Sequence, residues 1–129
     1  MGTVKDLAFH RIETAKSDLK AANVLLEVQE YRAANNRAYY AIYHAISAVH
    51  ALDEKAYKRH KDAIANFNKD YIKTEIFPRV IGRKIAEAEE IQHASDYDDF
   101  YIAVKEETEE QIATAKELIE LIEAYCIEK

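Results

Sequence analysis

Along most of the chain, apolar residues recur at intervals of three and four, the spacing of a helix with one buried face. Leu7, Ala8, Ile12, Ala15, Leu19, Ala22 and Leu26 form one such stripe and predict a first helix from about Thr3 to Glu27. A short connection is expected near Gln29–Tyr31. A second helix then runs from about Arg32 to Asp53. It is rich in small residues at Ala34, Ala38, Ala41, Ala45 and Ala48, which would let a partner helix come close. Its tyrosines add apolar rings with polar tips. A helix apolar on most sides is either central to its fold or part of an interface. After the polar stretch "DEKAYKRHK", a third helix is expected over about His60–Lys69, with Ala63, Ile64 and Phe67 inward. A fourth is expected over Pro78–Gln92, with the only proline in its first turn. "HASDYDDFY" reads as a polar break. The last helix spans about Lys105–Glu128, with Ile112, Ala115, Leu118, Ile119, Ile122 and Tyr125 inward. Glu106, Glu107, Glu109 and Glu110 suit its positive N-terminus.

Composition narrows this pattern to a fold class. Two glycines and one proline in 129 residues leave little material for hairpins and loops. The expected architecture is all-α: one domain over residues 1–129, an antiparallel bundle of four to five helices framed by the first, second and last. The single cysteine, Cys126, excludes an internal disulfide and a cysteine metal cluster. No apolar run is long enough for a transmembrane helix, and the charged N-terminal stretch has no signal-peptide core. A cytoplasmic location is the matching expectation.

Net charge of −6 argues at first against a nucleic-acid partner, but the charge is unevenly spread. Residues 31–84 hold eleven Lys/Arg against five Asp/Glu, whereas residues 85–129 hold three against fourteen. Such asymmetry can leave a basic face on an acidic protein.

The candidate chemistry lies in "NNRAYYAIYHAISAVH", Asn35–His50. Arg37 and His44 are seven apart and so stack on one stripe of the second helix, with Tyr40 and Ala41 between them. Asn36 borders the arginine and Tyr43 borders the histidine; His50 points elsewhere. Histidine exchanges protons near neutral pH, and arginine offers forked donors that match phosphate oxygens. RNA carries its own nucleophile, the 2′-hydroxyl, so such a pair suits metal-free phosphodiester cleavage. One histidine does not readily serve as both base and acid, and a symmetric dimer would supply a second. Spacing alone favours the plainer reading, a structural Arg–His pair. No histidine pair has i,i+4 spacing and no His/Glu cluster suits zinc or di-iron, so neither a metal nor a cofactor is expected. With only Gly2 and Gly82, a phosphate-cradling loop is ruled out.

"NRAYYAIYHAISAV" (Asn36–Val49) resembles the signature helix of the HEPN superfamily, in its small prokaryotic branch related to HepT-like toxins. "AKSDLKAANVLLEVQEYRAA" resembles that family's first helix and the entry to its second. "KRHKDAIANFNKDYIKTEIFP" resembles its middle segment, and "SDYDDF" its Asp-Tyr-Asp loop. The likeness covers about residues 10–127 in order. It implies a helical bundle that forms homodimers, with Arg37 and His44 meeting across the interface as a metal-independent endoribonuclease site. It also implies a toxin role, neutralised by an MNT-type nucleotidyltransferase antitoxin. Three positions depart from the pattern. Ala38 stands where many active members have a polar residue, Ile46 where a modified tyrosine would be, and Gln92 where an arginine is frequent.

Two functional readings follow. In the first, Arg37 binds the scissile phosphate of RNA and His44 is general base or acid. Asn36, Tyr40 and Tyr43 orient the phosphate or the imidazole, and Lys58, Arg59, His60 and Lys61 guide the RNA backbone. In the second, the chain is a non-catalytic dimerisation or nucleotide- or nucleic-acid-binding module acting with a nucleotidyltransferase. Arg37 then pairs with an acid such as Asp96, Asp98 or Asp99.

Overall fold

A computed structural model describes residues 2–129. Five α-helices follow one another: α1 (Val4–Glu27), α2 (Tyr31–Leu52), α3 (His60–Phe67), α4 (Arg79–Tyr97) and α5 (Lys105–Glu128). A single π-helical turn, Asn68–Ile72, extends α3. No strand is present among the described residues, and no helix there is long and apolar enough to cross a membrane.

The helices begin and end for local reasons. Thr3 and Asp6 form a reciprocal capping box at the start of α1. At its end, Gln29 adopts a left-handed φ of 64°. Its N–H reaches Leu26 O at 3.0 Å and that of Glu30 reaches Leu25 O at 2.9 Å, the crossed bonds of a Schellman cap. The same device closes α2. Glu54 has a φ of 60°, its N–H bonds Ala51 O at 3.0 Å, and the N–H of Lys55 bonds His50 O at 2.8 Å.

Two boundaries differ from expectation. Pro78 lies just outside α4, as its N-cap with extended ψ, rather than in its first turn. And α4 continues to Tyr97, through the stretch read as a break, because its polar residues find partners one turn apart. Gln92 Nε2 donates to Asp96 Oδ2 at 2.9 Å, and the His93 and Tyr97 rings meet at a tilt with centres 4.8 Å apart.

α2 is the central element, packing on α1, α3, α4 and α5. Its alanines are the means of that packing. Ala34, Ala38, Ala41, Ala45 and Ala48 are all fully buried within the one chain. They let the chain's own helices come close and are not available to a second copy, so of the two expected places for this helix, central or in an interface, the alanines serve the first. Ile12, Ile42, Ile46, Leu118 and Ile122 fill the space between α1, α2 and α5; burial of each contributes about 1.5–3 kcal/mol. Ala38 packs with Ala22 and Ile112. Between its two ends, what α2 leaves partly exposed is one stripe: Asn36, Arg37, Tyr40, Tyr43, His44 and Ser47. Where α4 crosses the π-turn, Gly82 lets it come close: a Cβ there would lie 2.9 Å from Ile72 Cγ2.

Candidate functional site

The exposed stripe of α2 faces two polar residues of α1. Arg11 and Asp18 are also seven apart, so they stack on α1 as Arg37 and His44 stack on α2. Arg37 Nη1 donates to Asp18 Oδ1 at 3.0 Å. Asp18 Oδ2 lies 3.6 Å from His44 Nε2. Further along, Arg11 Nη1 donates to Ser47 Oγ at 3.0 Å and to Ser47 O at 3.2 Å. One carboxylate thus joins Arg37 and His44 within a single chain, and a guanidinium stands on either side of the imidazole along the groove.

Each predicted site residue has a definite place. Asn36 Oδ1 accepts from Arg37 Nε at 3.2 Å and from Nη2 at 2.8 Å. The Arg37 guanidinium lies 4.9 Å above the Tyr40 ring, a cation–π contact. The Tyr40 and Tyr43 rings stand 6.3 Å and 5.5 Å from that of His44. His60, at the start of α3, stacks on Tyr43 with ring centres 3.8 Å apart and meets the edge of Tyr40 at 5.7 Å. Two imidazoles of the same chain therefore border the same pair of tyrosines. The other basic residues of that stretch are not brought here. Lys58 and Arg59 are exposed, with Arg59 paired to Asp62 at 2.9 Å. Lys61 lines a separate groove between α3 and α4 with Glu89.

The acidic loop does not pair with Arg37, contrary to the second reading. Asp18 takes Arg37, and Asp96 accepts from Gln92. The loop is held instead by Arg32, whose Nη2 donates to Tyr101 O at 2.9 Å and Asp98 O at 3.3 Å.

The electrostatics favour a neutral His44. Burial pushes its pKa below the ordinary value; Asp18 opposes this, and the charges of His60, Arg11 and Arg37 reinforce it. The imidazole side chain keeps 31% of its exposure and that of Arg37 38%, whereas Asp18 keeps 14%. The cation and the imidazole are thus reachable from solvent while the carboxylate joining them is largely covered. Such a group can accept a proton near neutral pH beside a fixed positive charge. No three His, Cys, Asp or Glu side chains converge to hold a metal ion among the described residues.

Sequence reasoning missed Asp18 and Arg11, although a signal was there. Asp18 lies three residues after Ala15 and four before Ala22, and Arg11 three after Ala8 and four before Ala15. All three alanines are fully buried, so both charges sit on the inward face of α1, where a charge needs a partner.

The sequence profile of the HEPN domain matches residues 9–125. Three similar proteins agree with that match. A candidate toxin of Methanocaldococcus jannaschii, MJ0605, is 33% identical over 86 residues, covering 67% of this chain and 64% of its own, less than two thirds of that relative's length. A second candidate toxin of that organism, MJ0142, is 28% identical over 118 residues, covering 92% of this chain and 80% of its own. A UPF0332 protein of Thermotoga maritima is 26% identical over 109 residues, covering 84% and 83%. The profile match runs from α1 almost to the end of α5 and takes in Arg11, Asp18, Arg37 and His44, and the chain belongs to the HEPN domain family.

Proposed function

We propose that this protein is a metal-independent endoribonuclease of the HEPN type and acts as the toxin of a toxin–antitoxin pair. The observation that carries this reading is the bridge through Asp18, which sets a guanidinium beside a neutral imidazole on a solvent-reachable face. In the reaction, His44 takes the proton of the RNA 2′-hydroxyl. The freed oxygen attacks the adjacent phosphorus, and the bond to the 5′-oxygen breaks as that oxygen gains a proton. The products are a 2′,3′-cyclic phosphate and a 5′-hydroxyl. Arg37 binds the phosphate oxygens as negative charge builds on them. The proton for the leaving oxygen comes from a second imidazole, that of His44 in a symmetric copy. The homodimer forms through the stripe that α2 leaves exposed. The toxin names of two relatives support the biological role, with an MNT-type nucleotidyltransferase as the matching antitoxin and the cytoplasm as the place where both would act.

The test is RNA cleavage by pure protein in EDTA. Cyclic-phosphate ends are expected, with loss of cutting in His44→Ala at unchanged fold and oligomeric state. Cutting that persists in His44→Ala would remove the assignment.

One observation favours a non-catalytic module acting with a nucleotidyltransferase. Three of the five N–H donors of the Arg37 guanidinium already go to Asp18 or Asn36, which leaves a phosphate one N–H on each terminal nitrogen. That reading predicts no RNA cutting by wild type at micromolar protein, and no toxicity on expression.

A further inference from the structure

One helical turn beyond His44, the groove between α1 and α2 ends in a cavity of about 110 Å³. Its polar lining is Arg11, Tyr43, Ser47, His50, Lys55 and Tyr57. Arg11, Tyr43, Ser47, Lys55 and Tyr57 can each donate a hydrogen bond into it, His50 can do so from Nδ1 only as the imidazolium because its Nε2–H goes to Ala63 O, and no carboxylate lines the cavity, although the protein as a whole carries a charge of −6. The volume is that of about three to four waters, room for one tetrahedral oxyanion.

Two features mark the cavity as built for a ligand. His50 is only 2% exposed, and its Nε2 is held by Ala63 O at 2.9 Å. Its Nδ1 is buried without a partner, a costly state for a polar atom unless something fills it. Arg11 spends Nη1 on the neutral Ser47, and no carboxylate among the described residues stands within ion-pair distance of it. Lys55 pairs with Asp70 at 3.1 Å, which leaves Arg11 as the one cation of the lining without a counter-charge.

We propose that this cavity is an oxyanion subsite that takes the phosphate of the nucleotide next to the scissile one. The ligand chemistry follows from the unpaired Arg11 and the carboxylate-free, donor-rich lining; that the phosphate belongs to RNA rests on the ribonuclease reading. Ser47 is three residues, about one helical turn, past His44 and on the side away from Arg37, so the cavity continues the line that runs from the phosphate-binding arginine through the imidazole. Tyr43 both lines the cavity and faces His44, so it lies between the two phosphate positions.

The experiment titrates the intact protein with inorganic phosphate and follows the histidine rings by NMR. Saturable shifts of the His50 ring are expected in wild type and not in Arg11→Gln, with Ser47→Ala as a milder second variant and thermal melts to confirm that both fold. Absence of a saturable His50 response in wild type overturns the subsite. A short single-stranded DNA, which lacks the 2′-hydroxyl and is not cut, should displace the phosphate. Its affinity should fall roughly tenfold in Arg11→Gln and its salt slope by about one. Phosphate binding that the oligonucleotide does not displace overturns the assignment to a nucleic-acid backbone. A wild type that binds phosphate at His50 yet cuts no RNA removes the ribonuclease reading and leaves the subsite standing.

Discussion

The carboxylate of Asp18 stands 3.6 Å from the imidazole Nε2 of His44, across the α1–α2 groove. Its other oxygen accepts from Arg37 Nη1 at 3.0 Å, so Asp18 holds the cation in place by a hydrogen bond and acts on the imidazole through its charge, Oδ2 having no hydrogen-bond partner. Asp18→Asn keeps the size and removes the charge. The expected result is a His44 titration moved further down, because the one group that raises its pKa is gone. RNA cleavage should fall about a hundredfold, the lower end of what a positioned base contributes. Stability should fall by no more than about 1 kcal/mol, because Arg37 is more than a third exposed and water screens the pair. NMR titration of the ring with a parallel RNA assay measures both effects; an unmoved His44 titration would show that the bridge has no electrostatic role.

The His60 ring packs against that of Tyr43, with centres 3.8 Å apart, and its charge is one of those that hold the His44 pKa down. His60→Ala removes that influence, so His44 should titrate at higher pH. Because the base acts in its neutral form, the acid limb of the cleavage profile should shift to higher pH as well. Tyr43→Phe preserves the ring stack and should shift the profile little, whereas Tyr43→Ala should shift it as His60→Ala does. A profile identical in all three variants would disconnect His60 from the site.

Ala38 follows Arg37 directly and was the sequence position most suggestive of a lost polar contact. The structure gives it another role: it is fully buried against Ala22 and Ile112. A polar side chain there would be overpacked and without a partner, so Ala38→Asn should destabilise the fold by about 2–4 kcal/mol without raising activity. Chemical denaturation measures the cost. A variant as stable as wild type and faster at cleaving RNA would refute this packing account.

The helices were legible because burial on one face leaves a period that survives in sequence, as with Ile12, Ala15 and Leu19. Their ends were less so. Left-handed caps at Gln29 and Glu54 use residues that carry no glycine signal, and the α4 extension depends on Gln92 meeting Asp96 one turn on. Within the site, the intervals on α2 foretold which residues share a face. The identity of the acid meeting Arg37 depended on how α1 crosses α2, and intervals within one helix do not encode a crossing. Asp96, Asp98 and Asp99 looked suitable by charge, yet Asp18 occupies the place.

The cap at Glu54 offers a direct gain. A non-glycine residue in the left-handed region costs about 1 kcal/mol or more, and glycine relieves this at some cost in unfolded-state entropy. Glu54→Gly should stabilise the protein by about 0.5–1 kcal/mol. Leu7→Gly, at an ordinary exposed position inside α1, should destabilise it by about 1 kcal/mol. Paired urea melts read the two signs; destabilisation by Glu54→Gly would mean that the Glu54 side chain does more than tolerate its backbone.

Buried histidines should also set the acid stability of the fold. His44 and His50 both have pKa values pushed below 6.5, chiefly by burial of the ring. In the folded state they are therefore neutral at pH values where the unfolded chain is already protonated. The unfolded state then binds more protons, so stability rises with pH through this window. The contribution is complete above about pH 6.5 and is lost progressively as pH falls through the folded-state values. His50 is the cleaner probe, since it is almost wholly enclosed and its Nδ1 has no partner. His50→Gln removes the titrating group and should flatten the part of the pH–stability curve between pH 7 and 5, even if its stability at pH 7 is lower. Urea melts at several pH values in a buffer without phosphate, which would occupy the neighbouring cavity, make the comparison. An equally steep loss in His50→Gln and wild type would place the acid sensitivity elsewhere, and the same series on His44→Gln would then show whether the α1–α2 groove carries it.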